Sequence, residues 1–104
     1  MVVRFRDDSS IQTLQELKRT IETMDSDEGI RIIGNIDGFA GGGFIFITRG
    51  GSKYTVNLTE QVMYGKSETI IPGGKEEWFY TKDVDKTLTI VMERMKSPLK
   101  AWKY

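Results

Sequence analysis

The chain has 104 residues, with 15 basic and 15 acidic groups, no cysteine and no histidine. That length suits one domain around one core, and a formal net charge of zero gives no global attraction to nucleic acid or to an anionic membrane. Lacking Cys and His, the chain cannot build disulfides, thiolate metal sites or a thiol nucleophile, and it lacks the commonest general base and neutral metal ligand.

Charge is uneven along the chain: residues 1–28 hold four basic and seven acidic groups, 29–81 hold five of each, and 82–104 hold six basic and three acidic. Any affinity for an anion must therefore come from a local patch. The opening MVVRFRDDSS lacks the apolar run of a signal peptide, and no run approaches the ~18 residues that span a bilayer. A cytoplasmic protein is expected, and Asn57-Leu58-Thr59 is then a chance match to a glycosylation sequon.

In chain order, Val3 and Phe5 alternate with Arg4 and Arg6, which predicts a short strand at residues 2–6. Ile11, Leu14, Leu17, Ile21 and Met24 recur at spacings of three and four, the stripe of an amphipathic helix that ends near Met24. Asp8, Ser9 and Ser10 offer N-caps, and Ser9 with Gln12 fits a capping box. Residues 30–36, IRIIGNI, read as a strand followed by a glycine-rich connection that opens at Asp37-Gly38. Gly50-Gly51 is a hairpin signal that predicts strands at about 44–49 and 52–58. The stretch YGKSETIIPGGKEE, 64–77, reads as loop with a short edge strand at Thr69–Ile71 before Pro72-Gly73, and EWFY as a further strand. Val84, Leu88, Val91 and Met95 fit a helix capped by Thr81 or Asp83, although TLTIVM also alternates as a strand would. Pro98 ends that element, and Leu99 to Tyr104 form a docked tail. The expected fold is thus α+β: a mostly antiparallel sheet of four or five strands, an N-terminal helix on one face, and a C-terminal helix or strand plus tail.

A two-residue turn at Gly50-Gly51 sets Arg49 opposite Ser52, Ile47 opposite Tyr54 and Ile45 opposite Val56. One face of the hairpin then carries Ile45, Ile47, Tyr54, Val56 and Leu58 and packs on the first helix. The other carries Phe44, Phe46, Thr48, Lys53, Thr55 and Asn57. Covering each phenylalanine is worth about 1.5–3 kcal/mol, so this face calls for a cover: the C-terminal segment, a second copy, or a ligand.

Gly43 to Thr48, GFIFIT, resembles the central strand signature of the RNA-recognition motif, in which a glycine precedes alternating aromatics that stack bases on an open sheet face. Gly42 stands where a basic residue is usual, Ile45 replaces a small residue, and Arg49 replaces the last aromatic. What the resemblance implies is an aromatic platform, not membership of the family.

Other constellations favour structure over chemistry. Gly65-Lys66-Ser67 ends like a P-loop, but the motif requires glycine where Glu60 stands. Asp25-Ser26-Asp27-Glu28-Gly29 hints at a calcium loop, yet its twelfth position is Ile36 and not a bidentate Glu. Asp37, Glu60, Glu68, Glu76 and Glu77 form no pair whose spacing suggests acid–base work, so no enzyme, cofactor or metal is expected. From Arg94 on, Arg94, Lys96, Lys100 and Lys103 occur with Trp102 and Tyr104 and without an acid, which suits phosphate contact with base stacking or, equally, a helix end and a docked tail. The sequence therefore supports a non-enzymatic module that binds another protein, of inhibitor or adaptor type, or a homodimer. Its expected contact residues are Phe44, Phe46, Thr48, Arg49, Lys53, Arg94, Lys96, Lys100, Trp102, Lys103 and Tyr104. The alternative is a single-stranded nucleic-acid binder that uses the aromatic face and basic tail.

Overall fold

The computed structural model describes residues 11–39, 42–64 and 69–103. Its elements are α1 (Leu14–Thr23), β1 (Gly29–Gly34), β2 (Gly43–Gly50), β3 (Lys53–Tyr64), β4 (Thr69–Thr81), α2 (Val84–Arg94) and β5 (Ala101–Lys103). The strand expected at residues 2–6, and the caps Asp8, Ser9 and Ser10, lie outside the described residues.

The five strands form one antiparallel sheet in the order β4-β3-β2-β1-β5, so the fold is α+β. Consecutive strands β1 to β4 make a meander, and the chain then returns through α2 to add β5 beside β1. An 11-residue helix rises about 16 Å, most of the way across a five-stranded sheet with strands ≈ 4.8 Å apart. No described helix is long and apolar enough to cross a membrane.

Both helices lie on the same side of the sheet. Leu17 and Ile21 of α1, Met24 at its C-cap, and Leu88 and Val91 of α2 are buried with Ile30, Ile32, Ile45, Ile47, Tyr54, Val56, Leu58 and Ala101. The alternation read from the hairpin is the one observed. Its register differs: Arg49 pairs with Tyr54 and Ile47 with Val56, which moves the turn to Gly51-Ser52. Gly51 has φ +65° and Gly50 has no positive φ, so only the second glycine supplies the backbone freedom the turn requires. The displacement is two residues, and a strand repeats its faces every two, so each side chain keeps its predicted side.

Two boundaries move for local reasons. α1 starts at Leu14, not Ile11, because Thr13 is its N-cap and accepts from Glu16 N at 3.1 Å. Ile11 exchanges backbone hydrogen bonds with Ala101 at 2.6 and 3.0 Å. Pro72-Gly73 is not a turn; β4 runs unbroken from Thr69 to Thr81, and its register jumps between Thr59 and Gln61. Proline is tolerated because β4 is an edge strand. A Cβ at Gly74 would meet Glu60 Oε1 at 2.5 Å, so glycine there leaves room for the Glu60 side chain.

The C-terminal element is the helix. Asp83 caps it by accepting from Asp85 N at 2.8 Å, and buried Thr87 bonds Asp83 O at 3.0 Å and Thr81 Oγ1 at 2.7 Å. These local bonds outweigh the β-branched composition of TLTIVM.

Gly43, the first residue of β2, serves close approach. A Cβ on Gly43 would lie 2.6 Å from the Thr59 carbonyl and 3.0 Å from the Phe39 ring, whereas at Gly50 it would meet nothing within 4 Å. Gly43→Ala is therefore expected to lower stability by about 1–3 kcal/mol, while Gly50→Ala stays within about 1 kcal/mol of the parent. Urea unfolding of both variants checks the pair; equal effects would contradict the packing at Gly43.

Candidate interaction face

With both helices on one side, no described helix covers the other side of the sheet. The ladder registers place Trp102, Arg31, Phe46, Asn57 and Trp78 in one row across it, from β5 to β4. A second row holds Ile33, Phe44, Thr59 and Glu76, and a third holds Thr48, Thr55 and Tyr80.

Exposure changes across this face. Phe44 is 7%, Thr59 4%, Asn57 8% and Trp102 9% accessible, so the chain itself shields them. Phe44 stacks on Phe46 with centroids 5.9 Å apart, and Thr59 Oγ1 donates to Asn57 Oδ1 at 2.7 Å. At the β4 side the cover ends: Trp78 is 53% and Tyr80 70% accessible. Phe46, Asn57, Thr59, Gly73, Gly74 and Glu76 line a shallow cleft of ≈ 450 Å³ beside Trp78.

The residues singled out in the sequence fall into three groups. Phe44, Phe46, Thr48 and Lys53 share the helix-free face, with Thr48 and Lys53 exposed. Trp102 joins them from β5, with the Arg31 guanidinium 5.8 Å and Lys100 Nζ 5.5 Å from its ring centroid. Arg49 does not belong there. It alternates onto the helix side, donates to Met24 O at 2.6 Å and Gly51 O at 2.9 Å, and lies 6.0 Å from the Tyr54 ring. It thereby satisfies a carbonyl that the end of α1 leaves without a helical partner.

The C-terminal cations do not form one basic tail. Arg94 makes a two-pronged bond to Glu77 at 2.9 and 2.6 Å, donates to Asp37 O at 2.7 and 3.1 Å, and covers Phe39 at 5.6 Å. Lys103 Nζ is 2.6 Å from Glu28, and Lys96 is exposed. Lys100 alone of this group joins Trp102 on the helix-free face, and Tyr104 lies outside the described residues.

Trp78 and Tyr80, the most exposed aromatics of the face, were not among the expected contacts. The signal was present in EWFY: if Phe79 faces the core, its two aromatic neighbours must face away from it. The carboxylates weighed for acid–base chemistry have structural contacts: Glu77 holds Arg94, Glu60 Oε1 accepts from Lys75 N at 3.4 Å, and Glu76 Oε1 accepts from Asn57 at 3.3 Å. Glu68 lies outside the described residues.

The Arg94 bond holds the Glu77 carboxyl below its ordinary value of 4.5 against a smaller opposing effect of burial, and the same bond raises Arg94. A depressed carboxyl pKa adds stability that is full above the ordinary value and is lost as pH falls through the folded one. Glu77→Gln is expected to cost about 1 kcal/mol at pH 7, a figure already discounted for partial exposure. The gap from the parent should close as pH falls below 4.5, which urea midpoints at neutral and acid pH would show. A gap independent of pH would mean that the carboxylate charge is not what holds Arg94.

No protein-family model, curated protein or solved structure matches the chain.

Proposed function

We propose that this protein is a non-enzymatic interaction module of the cytoplasm that binds another protein, as an inhibitor or adaptor, through the β4 side of its helix-free face. The observation that carries the reading is the pair Trp78 and Tyr80, 53% and 70% accessible on one face of one strand. Large aromatics gain most from desolvation at the centre of an interface and dominate measured binding energies. Thr48, Thr55 and Lys53 beside them supply a polar rim. Phe44 and Phe46, already packed on each other, continue the same face across β3.

Single-stranded nucleic acid is the second reading, favoured by Arg31, Lys53 and Lys100 on the same face as Trp102, Trp78 and Tyr80. Cations among aromatics suit backbone contact with base stacking.

The protein reading expects Trp78→Ala to weaken capture of partner proteins from lysates of the source cells by about 30-fold or more, with the circular dichroism spectrum unchanged. It also expects no binding of labelled single-stranded oligonucleotides. An oligonucleotide affinity that falls steeply between about 50 and 200 mM salt, and falls again in Trp78→Ala, would replace the protein reading with the nucleic-acid one.

A further inference from the structure

β4 is an edge of the sheet: β3 pairs with one side of it, and no described strand lies on the other. The unpaired main chain of an edge strand is a template for another strand. Here the second half reads Lys75-Glu76-Glu77-Trp78-Phe79-Tyr80-Thr81, followed by exposed Lys82 and Asp83. Charges on an edge usually block pairing, but they block it only where they meet like charges or apolar groups.

The stretch is complementary to itself in one antiparallel register. With a two-fold axis through Phe79, Trp78 of each copy faces Tyr80 of the other. Glu76 faces Lys82, Lys75 faces Asp83, Glu77 faces Thr81, and Phe79 faces its own copy. Each aromatic meets an aromatic on its own face of the sheet, and just past the end of the strand Lys82 and Asp83 bring four charge pairs of opposite sign per dimer beside Glu76 and Lys75. Moving the axis to Trp78 sets Glu76 against Tyr80 and Glu77 against Phe79. Moving it to Tyr80 sets Trp78 against Lys82 and Glu77 against Asp83. Both desolvate charges without compensation.

We propose that two copies of this chain associate antiparallel along β4 in the Phe79 register and join their sheets into one continuous sheet. The proposal rests on reading the β4 side as a protein-binding surface and names a second copy as its occupant. Four partly exposed aromatics contribute roughly 400–600 Å² of buried surface, to which the paired strands add main chain. The interface is therefore modest, at the small end of specific interfaces, where association is weak.

The test is sedimentation equilibrium of the full chain from about 1 to 500 µM, using the parent, Glu76→Lys, Lys82→Glu and the double variant. All the substitutions are at exposed positions, and circular dichroism verifies the folds. The parent should pass from one-chain to two-chain mass. Each single variant opposes like charges twice and should associate about tenfold more weakly, while the double variant should recover. An equimolar mixture of the two single variants should form the mixed dimer, since positions 76 and 82 are then both basic in one chain and both acidic in the other. A parent that stays at one-chain mass overturns the proposal, as does a dimer indifferent to both charge reversals or a double variant without recovery. The two readings fail separately: a monomer whose capture of other proteins depends on Trp78 overturns self-pairing alone, and salt-sensitive oligonucleotide binding by a chain that still dimerises overturns the protein-partner reading alone.

Discussion

The two described helices pack on one face of this sheet, and most of the structure follows from that placement. Ile30, Ile32, Ile45, Ile47, Val56 and Leu58 have no measurable exposure. They present a continuous apolar layer from three neighbouring strands, and Leu17, Ile21 and Val91 fill it from above. Burial of aliphatic side chains at about 25 cal/mol per Å² is the dominant favourable term available to a chain without cysteine, and hence without disulfides. Because every strand alternates, the same burial fixes the opposite residues on the helix-free side. The position of Trp78 and Tyr80 is thus a consequence of where Phe79 points.

Two arginines anchor the layers to each other. Arg49 reaches from β2 to the carbonyl of Met24 at the end of α1, and Arg94 reaches from the end of α2 to Glu77 on β4 and the carbonyl of Asp37 after β1. In each case a planar guanidinium with several fixed donors satisfies acceptors that come from separate elements. A lysine could carry the charge but could not bridge acceptors in that fork geometry. Of the cations in the chain's last third, Arg94 is thus engaged within the fold and Lys103 with Glu28, while Lys100 lies beside Trp102 together with Arg31 from β1.

The hairpin shows what the sequence could reveal about the candidate face and what it could not. Alternation in GFIFIT and KYTVNL separates two faces whichever of two registers forms, because those registers differ by an even number of residues. The turn itself was less readable, since two consecutive glycines permit it in more than one position and only Gly51 adopts positive φ. Exposure was not readable at all. Phe44 and Trp78 share a face, yet one is 7% and the other 53% accessible, and that difference arises from their places across the sheet.

The sequence by itself determined the class of fold, the stripe that buries α1, the two faces of the β2-β3 hairpin, and the exclusion of cysteine and histidine chemistry. These depend on periodicity and composition, which are local. Tertiary structure alone decided that Arg49 binds the Met24 carbonyl and Arg94 binds Glu77, that Pro72 sits inside a long edge strand, and that residues 101–103 form β5 beside β1. It also decided that the exposed aromatics of the helix-free face are Trp78 and Tyr80 and not Phe44. Each of these depends on which strand becomes an edge and which carbonyls helix ends leave without partners. Such facts are set by contacts between residues distant in sequence, and no local pattern encodes them.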